Sequence, residues 1–326
     1  MTNEKENYDA NDIHNPNDKA FKDSFSVPEI AQTYFNNFFD KKLAKKLDYS
    51  TLKLLPTSYI TPELVEFFSD LVWHCKTKEG IDLYITFLFE HKTDVPKVPQ
   101  IQLLQYLAGG YNQQYKDDET LTLIVPIVVY HGTKKWHYRP FQSFFKNFDE
   151  DFLIYLPKFD YWLTNLQNYT DEVLKGFQMG FLTKIFLAFK HYKDTEYINQ
   201  EFVSLLTNNY NDTLPKEKYR MLFKTFLLYL QHISSLKGVV LKKELEKLNE
   251  PLKSEAMTTY QNIIEEGREE GIEKGIEKGI EKGIAILVIN AYKDGKTIQQ
   301  IVDFMKLPSD KVRFIIDEYL KSQRRN

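Results

Sequence analysis

The fold prediction depends on two neighbouring segments, Asp70-Leu-Val-Trp-His-Cys-Lys-Thr77 and Ile81-Asp-Leu-Tyr-Ile-Thr-Phe-Leu-Phe-Glu90-His-Lys92. Both are rich in β-branched and aromatic residues, and the short sequence Lys78-Glu-Gly80 separates them. Such a pair of segments predicts a β-hairpin. A turn centred near Gly80 sets Asp70 opposite a position close to Glu90, because both lie ten residues from that centre. Directly paired side chains on one face are about 4.5–5.5 Å apart at Cβ.

The residues around the hairpin predict the rest of an α/β unit. Apolar residues recur at helical spacing between Lys19 and Phe39, with a break near Pro28. A helix is predicted from about Gln100 to Tyr115, and the apolar run from Leu121 to Tyr130 predicts a strand that is buried on both faces. The hairpin, this helix and this strand together predict a βαβ crossover.

Composition excludes several classes of protein. The 326 residues are 42% hydrophobic and 27% charged, which excludes wholesale disorder. A single cysteine, Cys75, excludes an internal disulfide framework and a cysteine-rich metal site, and it is typical of a reducing cytoplasm. The net charge of −3 gives no global attraction to nucleic acid or to anionic membranes. The longest apolar run is about half of a membrane span, so we expect a cytoplasmic protein without a membrane partner.

The chain divides by composition into five predicted regions. Residues 1–18 are rich in Asn and Asp and are predicted to form a disordered arm, and residues 19–148 are predicted to form the α/β domain. Strand patterns disappear after that point, so residues 149–262 are predicted to form a helical domain. A repeat occupies residues 263–288, and residues 289–326 are predicted to form a small helical module.

The repeat region contains Gly-Ile-Glu-Lys three times, beginning at Gly271, Gly275 and Gly279. Four-residue spacing places the glycines nearly in line on a helix, with isoleucines beside them. Each glycine inside a helix costs about 0.8–1 kcal/mol relative to alanine. Two interpretations stay open: a semi-flexible linker, or a self-associating helix whose glycine spine lets another helix approach closely. The second interpretation makes the chain a homo-oligomer, with protomers paired as a dimer.

Strand alternation predicts a cluster of charged side chains on one face of the hairpin. Lys92 shares the face of Glu90, with Asp70 across from it, while Ile85 and Phe87 point the other way into the core. Two carboxylates so close repel each other unless a cation lies between them. Hard divalent ions such as Mg²⁺ are held by one or two carboxylates together with water and substrate phosphate.

The next helix adds two polar side chains. Gln102 and Tyr106 are four residues apart and share one helical face, where they could position a phosphate or the Lys92 amine. An arbitrary Glu-x-Lys triplet is more often a solvated strand face, and a tyrosine at this spacing is more often part of the core. The ordered set of Asp70, hairpin, Glu90-x-Lys92 and the Gln/Tyr helix is more specific than any of its parts.

That ordered set resembles the PD-(D/E)XK nuclease pattern, including the Gln/Tyr motif of its RecB-like members. The wider sequence resembles the Rpn family of recombination-promoting nucleases, also named YhgA-like transposases. The stretches that carry this resemblance are Asp18-Lys-Ala-Phe-Lys22, Glu90-His-Lys92, Tyr130-His-Gly132 and Glu265-Glu-Gly-Arg-Glu-Glu-Gly271. The resemblance covers residues 14–145. The repeat tail resembles the family only in its general type of sequence, a glycine repeat.

The resemblance implies a metal-dependent DNA endonuclease with an αβββαβ core, followed by an all-helical region and a helical C-terminal tail. By position, Asp70 and Glu90 would bind Mg²⁺, with Mn²⁺ or Ca²⁺ as substitutes in vitro. Lys92 would orient or activate the attacking water, and Gln102 and Tyr106 complete the implied catalytic set. The alternative is a catalytically inactive nuclease fold that binds DNA or a partner and oligomerises.

Two departures from the pattern bear on this implication. Phe67-Phe-Ser69 precedes Asp70, so the proline of the PD-(D/E)XK pattern is absent. Many Rpn-like sequences also carry glutamine at the place of Lys92, so this chain is nearer to the nuclease pattern than those relatives are.

Contacts to DNA need local clusters of positive charge. Residues 1–150 carry 17 Lys and Arg against 21 Asp and Glu, so this part of the chain is acidic as a whole. The candidate clusters are Lys41, Lys42, Lys45 and Lys46, and Lys134, Lys135 and Arg139, although ordinary solvated surface is the commoner role for the first group. Residues from Thr297 to Tyr319 resemble a helix-turn-helix, or they form a small oligomerisation bundle.

Overall fold

The computed structural model describes residues 16–55, 69–90, 95, 97–116, 120–146, 149–177, 179–207 and 215–323. The chain forms two compact units, residues 1–257 and residues 258–326. The predicted disordered arm lies outside the described residues as far as residue 15. Its last three residues, 16–18, belong to the first helix.

The described strands form a five-stranded sheet in the order β1-β2-β3-β4-β5. They are β1 (Leu47–Leu54), β2 (Ser69–Thr77), β3 (Asp82–Glu90), β4 (Leu123–Tyr130) and β5 (Trp162–Asn165). The pairs β1–β2 and β2–β3 are antiparallel, whereas β3–β4 and β4–β5 are parallel. The predicted hairpin is confirmed, with Gly80 in its turn at φ +85°. The parallel crossover to β4 is confirmed as well.

Helices precede the sheet, cross over it and continue the chain beyond it. The described α-helices of the first unit are α1 (Pro16–Phe25), α2 (Pro28–Phe38), α3 (Lys41–Ala44), α4 (Pro99–Lys116), α5 (Asp171–Gly176), α6 (Phe181–Lys190), α7 (Thr195–Leu206), α8 (Lys216–Ile233) and α9 (Gly238–Glu246). Apart from the single turn α3, the described elements from α2 to β4 follow the order helix, strand, strand, strand, helix, strand, which agrees with the order that the resemblance implies. Within the described ranges, no helix has the length and apolar character needed to cross a membrane.

β5 corrects the prediction that strands end before residue 149. It is four residues long and pairs with β4 from Trp162 opposite Ile127 to Asn165 opposite Tyr130. The hydroxyl of Thr164 lies 2.7 Å from that of Tyr34, which joins β5 to α2. A strand of four residues contains too few positions to show a period of two, so its sequence gave no signal.

The face of the sheet that α1 and α2 cover has an aromatic core. Phe87 of β3 is fully buried, and its ring centroid lies 5.0 Å from that of Tyr34 and 5.4 Å from those of Phe25 and Phe35. Trp73 of β2 is also fully buried, and its indole N–H donates to the carbonyl of Phe25 at 3.2 Å. Aromatic pairs at such distances contribute about 0.5–1.5 kcal/mol beyond their buried area. This packing leaves the opposite face of the sheet for α4.

The helices after the sheet pack on the first two helices. Lys218 of α8 binds the carboxylate of Glu29 in α2 at 2.9 Å, and Thr225 donates to Asp23 of α1 at 3.0 Å. These contacts join the helical region to the α/β part within one compact unit.

An ionic brace links α5 to the C-terminal end of α6. Asp171 accepts hydrogen bonds from Lys190 at 2.5 Å and lies 3.0 Å from the imidazole of His191. Burial by itself raises the pKa of the Asp171 carboxyl, but the hydrogen bonds from Lys190 and His191 more than offset it and lower the pKa to about 2. Asp171 is therefore ionised at neutral pH and is held by its two partners.

The second unit contains most of the long helix α10 (Leu252–Lys293), followed by α11 (Ile298–Met305) and α12 (Ser309–Gln323). A capping box between Thr297 and Gln300 begins α11. The buried residues that hold these helices together are Val288, Ile301, Val312 and Ile316. The Gly-Ile-Glu-Lys repeats lie inside α10, so they are helical throughout.

Candidate functional site

Strand register sets the places of Asp70 and Glu90. Asp70 pairs with Leu88 of β3, and Glu90 lies two residues further along that strand, where it pairs with Tyr130 of β4. Alternate residues of a strand share a face, so positions 70, 88 and 90 belong to one face of the sheet. The partner of Asp70 is two residues from Glu90 because the hairpin is centred one residue before Gly80. Diagonal neighbours of this kind are about 7–8 Å apart.

α4 covers the face that carries positions 70 and 90. Val128 and Tyr130 of β4, which share that face, form a buried cluster with Tyr106 of α4. Near the other end of the helix, the amide of Gln114 bonds to both backbone groups of Thr122, just before β4 begins. The first turns of α4 therefore lie at the end of the sheet where β2 begins and β3 ends.

Gln102 and Tyr106 consequently stand at the same end of the sheet as positions 70 and 90. Tyr106 is 4% exposed and is held by the buried cluster, whereas Gln102 is half-buried. Gln100, which the sequence did not distinguish from Gln102, is 2% exposed and its amide donates to the carbonyl of Arg139 at 2.5 Å. Its burial depends on a contact with a residue 39 positions away, which no local pattern reveals.

The carboxylates and the amine of the predicted cluster are not among the described side chains. It describes the backbone of Asp70 and Glu90 but not their side chains, and Lys92 lies outside the described residues. The grouping of two carboxylates and an amine stays a prediction, supported by the backbone register. Among the described side chains, no group of three or more His, Cys, Asp and Glu could hold a metal ion.

Two histidines near the candidate site have partners within the fold. His74, which shares the face of Asp70 by alternation, lies 2.6 Å from Asp82, and this hydrogen bond lowers the pKa of Asp82. His131 is fully buried, and its Nδ1 lies 3.2 Å from the carbonyl oxygen of Phe189 in α6. These contacts give both histidines a structural role.

The basic residues that the sequence indicates as candidate DNA contacts lie in two different environments. The guanidinium carbon of Arg139 lies 4.3 Å from the ring centroid of Phe144, and one of its N–H groups donates to the carbonyl of Ser143 at 3.1 Å. Arg139 is thus engaged locally. Lys41 and Lys45, in contrast, line a pocket beside β1.

Comparison with protein families decides the relationship of the chain. Residues 15–216 match the family model described as "Putative transposase, YhgA-like", which is more than half of the 326 residues. The chain belongs to this family. The match to the YhgA-like family runs from α1 to the first residue of α8, so it includes the whole sheet and the candidate site.

Relatives of this YhgA-like chain carry nuclease names. Over 118 residues it is 32% identical to the inactive recombination-promoting nuclease-like protein RpnE of Escherichia coli strain K12, which covers 36% of this chain and 39% of RpnE. It is 31% identical over 118 residues to recombination-promoting nuclease RpnA of the same strain, covering 36% of this chain and 40% of RpnA. With RpnD of E. coli O157:H7 it shares 29% identity over 121 residues, 36% of this chain and 46% of RpnD. The matched part spans less than half the length of each of these relatives.

No solved structure matches this YhgA-like chain. The mixed α/β architecture with a five-stranded sheet is observed, and the PD-(D/E)XK assignment stays an expectation from the resemblance. The family and its relatives establish a place among nuclease-named proteins, of which some are named inactive.

Proposed function

We propose that the chain is a cytoplasmic, metal-dependent DNA endonuclease that hydrolyses phosphodiester bonds and promotes recombination. One observation carries the proposal: positions 70 and 90 share the sheet face that α4 covers, at the end where Gln102 and Tyr106 stand. Membership of the YhgA-like family and the nuclease names of RpnA and RpnD support it.

The donor chemistry of Asp70 and Glu90 fits a hard divalent cation, because Mg²⁺ prefers carboxylate oxygens. In this proposal the two residues would hold Mg²⁺, for which Mn²⁺ or Ca²⁺ would substitute in vitro. When bound, the ion supplies Lewis acidity at the phosphate and lowers the pKa of water. The diagonal placement of the two backbone positions on one face is compatible with a shared ion.

The other predicted residues act on water and substrate. The Lys92 ammonium carries three hydrogen-bond donors and would orient the attacking water toward the phosphorus. The amide of Gln102 would donate to a phosphate oxygen, since this residue is half-buried at the edge of the site. Tyr106, 4% exposed in the cluster with Tyr130, would fix the position of α4 and so that of Gln102.

A second function is favoured by one specific observation. RpnE is named inactive, yet its identity to this chain, 32%, is within one percentage point of that of RpnA, 31%, over the same number of residues. A nuclease fold without turnover, which binds DNA or a partner and oligomerises, is the alternative. The two functions differ in whether the chain cleaves DNA.

Nicking of supercoiled plasmid is the experiment that separates them. The full chain is expected to convert supercoiled plasmid to the open circle with Mg²⁺, to stop when EDTA removes the ion, and to resume when Mg²⁺ is restored, because the ion neutralises charge that develops on the phosphate. Agarose gels taken over time measure the rate, and a mock preparation purified in the same way from cells that do not make the chain controls for contaminating nucleases. DNA binding without Mg²⁺-dependent nicking would support the inactive protein instead.

We also propose that the chain pairs with a second copy of itself through α10. Ile272, Ile276 and Ile280 are 52–58% exposed, and with Ile284 and Lys311 they line a groove of about 670 Å³. Ile284 continues this stripe into the core of the second unit. Glu269, Glu273, Glu277 and Glu281 border the same groove, and the repeat lysines of an identical helix would offer opposite charges to them. Rows of residues four apart pack together at a crossing angle of about −50°.

Placing charge in this groove is expected to separate the protomers. The double change Ile276→Asp and Ile280→Asp should raise the dimer dissociation constant at least about 100-fold, because each carboxylate would have to lose its water on pairing. Sedimentation equilibrium measures the mass. The matched control is Val239→Asp with Val240→Asp in α9, which are 70% and 55% exposed. A wild-type chain that is monomeric, or a double variant with unchanged mass, would contradict the pairing.

A further inference from the structure

A pocket of about 530 Å³ lies at the turn end of the β2–β3 hairpin. Its charged lining residues are Lys41 and Lys45 around α3, Lys78 in the hairpin turn, and Asp48 of β1. The net charge of this lining is +2. The three lysine side chains are exposed, and within the described ranges none of them has a carboxylate in ion-pair contact. We call this feature the basic pocket.

A β-bulge in the edge strand β1 shapes the basic pocket. Asp48 pairs with Lys76 and Lys53 pairs with His74, so four residues of β1 stand against a single residue of β2. The Thr51 hydroxyl accepts the backbone N–H of Lys76 at 2.8 Å and replaces a ladder hydrogen bond. Bulges bend an edge strand and redirect its side chains. The bulged residues Tyr49 and Ser50 line the pocket as a result.

Asp48, the acidic group among the described lining residues of the basic pocket, is already engaged within the fold. Asp48 accepts hydrogen bonds from the backbone N–H of Ser50 at 3.1 Å and from its hydroxyl at 2.6 Å. Since these bonds hold one carboxylate oxygen toward Ser50, the lysine ammonium groups keep their donors available to an anion from outside. Lysine binds phosphate as a point charge with three donors.

We infer that the basic pocket binds backbone phosphates of DNA at a distance from the cleaved bond, an inference that rests on the proposed function. Residues 1–150 are acidic as a whole, so a polyanion needs a local positive surface to approach. Thr77, beside the pocket, and Asp70 are seven residues apart on β2. This separation is about 23 Å at 3.3 Å per residue. One strand of a duplex spans that length in about seven nucleotides at 3.4 Å each.

Matched triple variants of the full chain test the inference. In the first, Lys41→Gln, Lys45→Gln and Lys78→Gln remove the charges of the basic pocket; in the second, Lys216→Gln, Lys242→Gln and Lys243→Gln remove three exposed charges from α8 and α9. Fluorescence anisotropy of a labelled duplex in EDTA gives the affinity at several salt concentrations. The pocket variant should bind at least about tenfold more weakly, with a log–log salt slope smaller by about 2–3, and the control should bind as wild type does.

The outcomes separate this inference from the proposed function, which plasmid nicking by the wild-type chain decides. Equal affinities of the two triple variants, with both folded by circular dichroism, would overturn the inference even if the wild type nicks DNA. A wild-type chain that binds no duplex would overturn it too. Inorganic phosphate added at constant ionic strength tests the other source of this chemistry. Displacement of DNA by millimolar phosphate, lost only in the pocket variant, would assign the pocket to free phosphate.

Discussion

Glu90→Gln is expected to lower the rate of Mg²⁺-dependent DNA cleavage by at least about 100-fold. Glutamine keeps the size of the side chain but removes the negative charge that a hard cation prefers. Initial rates of plasmid nicking at saturating Mg²⁺ measure the effect. Asp70→Asn should have a similar effect. The double variant should be no slower than the slower single variant, because residues that act as a unit are not additive.

The matched control is Glu79→Gln, the same chemical change at an exposed position in the hairpin turn. It should cleave at the wild-type rate, since the turn lies at the opposite end of β3 from Glu90. Wild-type activity in both variants would show that the predicted site is wrong while leaving the chain a nuclease. Loss of activity in both would point to damage to the hairpin rather than to the removal of a metal ligand.

The hairpin shows why the face of the site could be predicted while its pairing could not. Moving the centre of an antiparallel hairpin by one residue changes the partner of Asp70 by two, from Glu90 to Leu88. A shift of two leaves every side chain on the same face, because alternation has a period of two. The face therefore follows from counting residues, whereas the partner depends on the geometry of the turn around Gly80, which has φ +85°.

The local sequence pattern located neither of the two edge strands, for different physical reasons. In β1 the bulge between Asp48 and Lys53 breaks the alternation, and the aromatic ring of Tyr49 stacks on Phe35 of α2 at 6.1 Å. β5 has only four residues and is held by parallel pairing with β4, which is distant in sequence. Its place thus comes from tertiary contacts, which a local pattern does not contain.

The basic pocket also depends on tertiary structure. The sequence indicates Lys41 and Lys45 as candidate DNA contacts because they belong to a run of lysines, but it does not indicate Lys78. Pairing of Leu47 with Thr77 brings the hairpin turn beside α3 and adds the third lysine. A charge run in a sequence shows only that positive residues are near one another, whereas a binding site needs charges that converge from several elements.

Phe87→Ala is expected to lower the free energy of unfolding of the first unit by about 3–5 kcal/mol. The side chain is fully buried between the sheet and the first two helices, where it contacts the rings of Phe25, Tyr34 and Phe35. Removing the ring takes away its burial and leaves a cavity that three other rings cannot readily close. Urea unfolding followed by near-ultraviolet circular dichroism should show a lower midpoint with an unchanged slope.

Phe152→Ala is the control for that change, because this phenylalanine is 61% exposed and its removal should alter the free energy by no more than about 0.5 kcal/mol. Phe87→Leu, which fills most of the space, should fall between the two and keeps the comparison measurable if the alanine variant does not fold. Equal stabilities of the alanine variants would contradict the aromatic core. Since Phe87 is three residues before Glu90 on β3, a loosened core should also weaken Mg²⁺-dependent cleavage in the folded leucine variant. The candidate site would then depend on packing beneath the opposite face of the same strand.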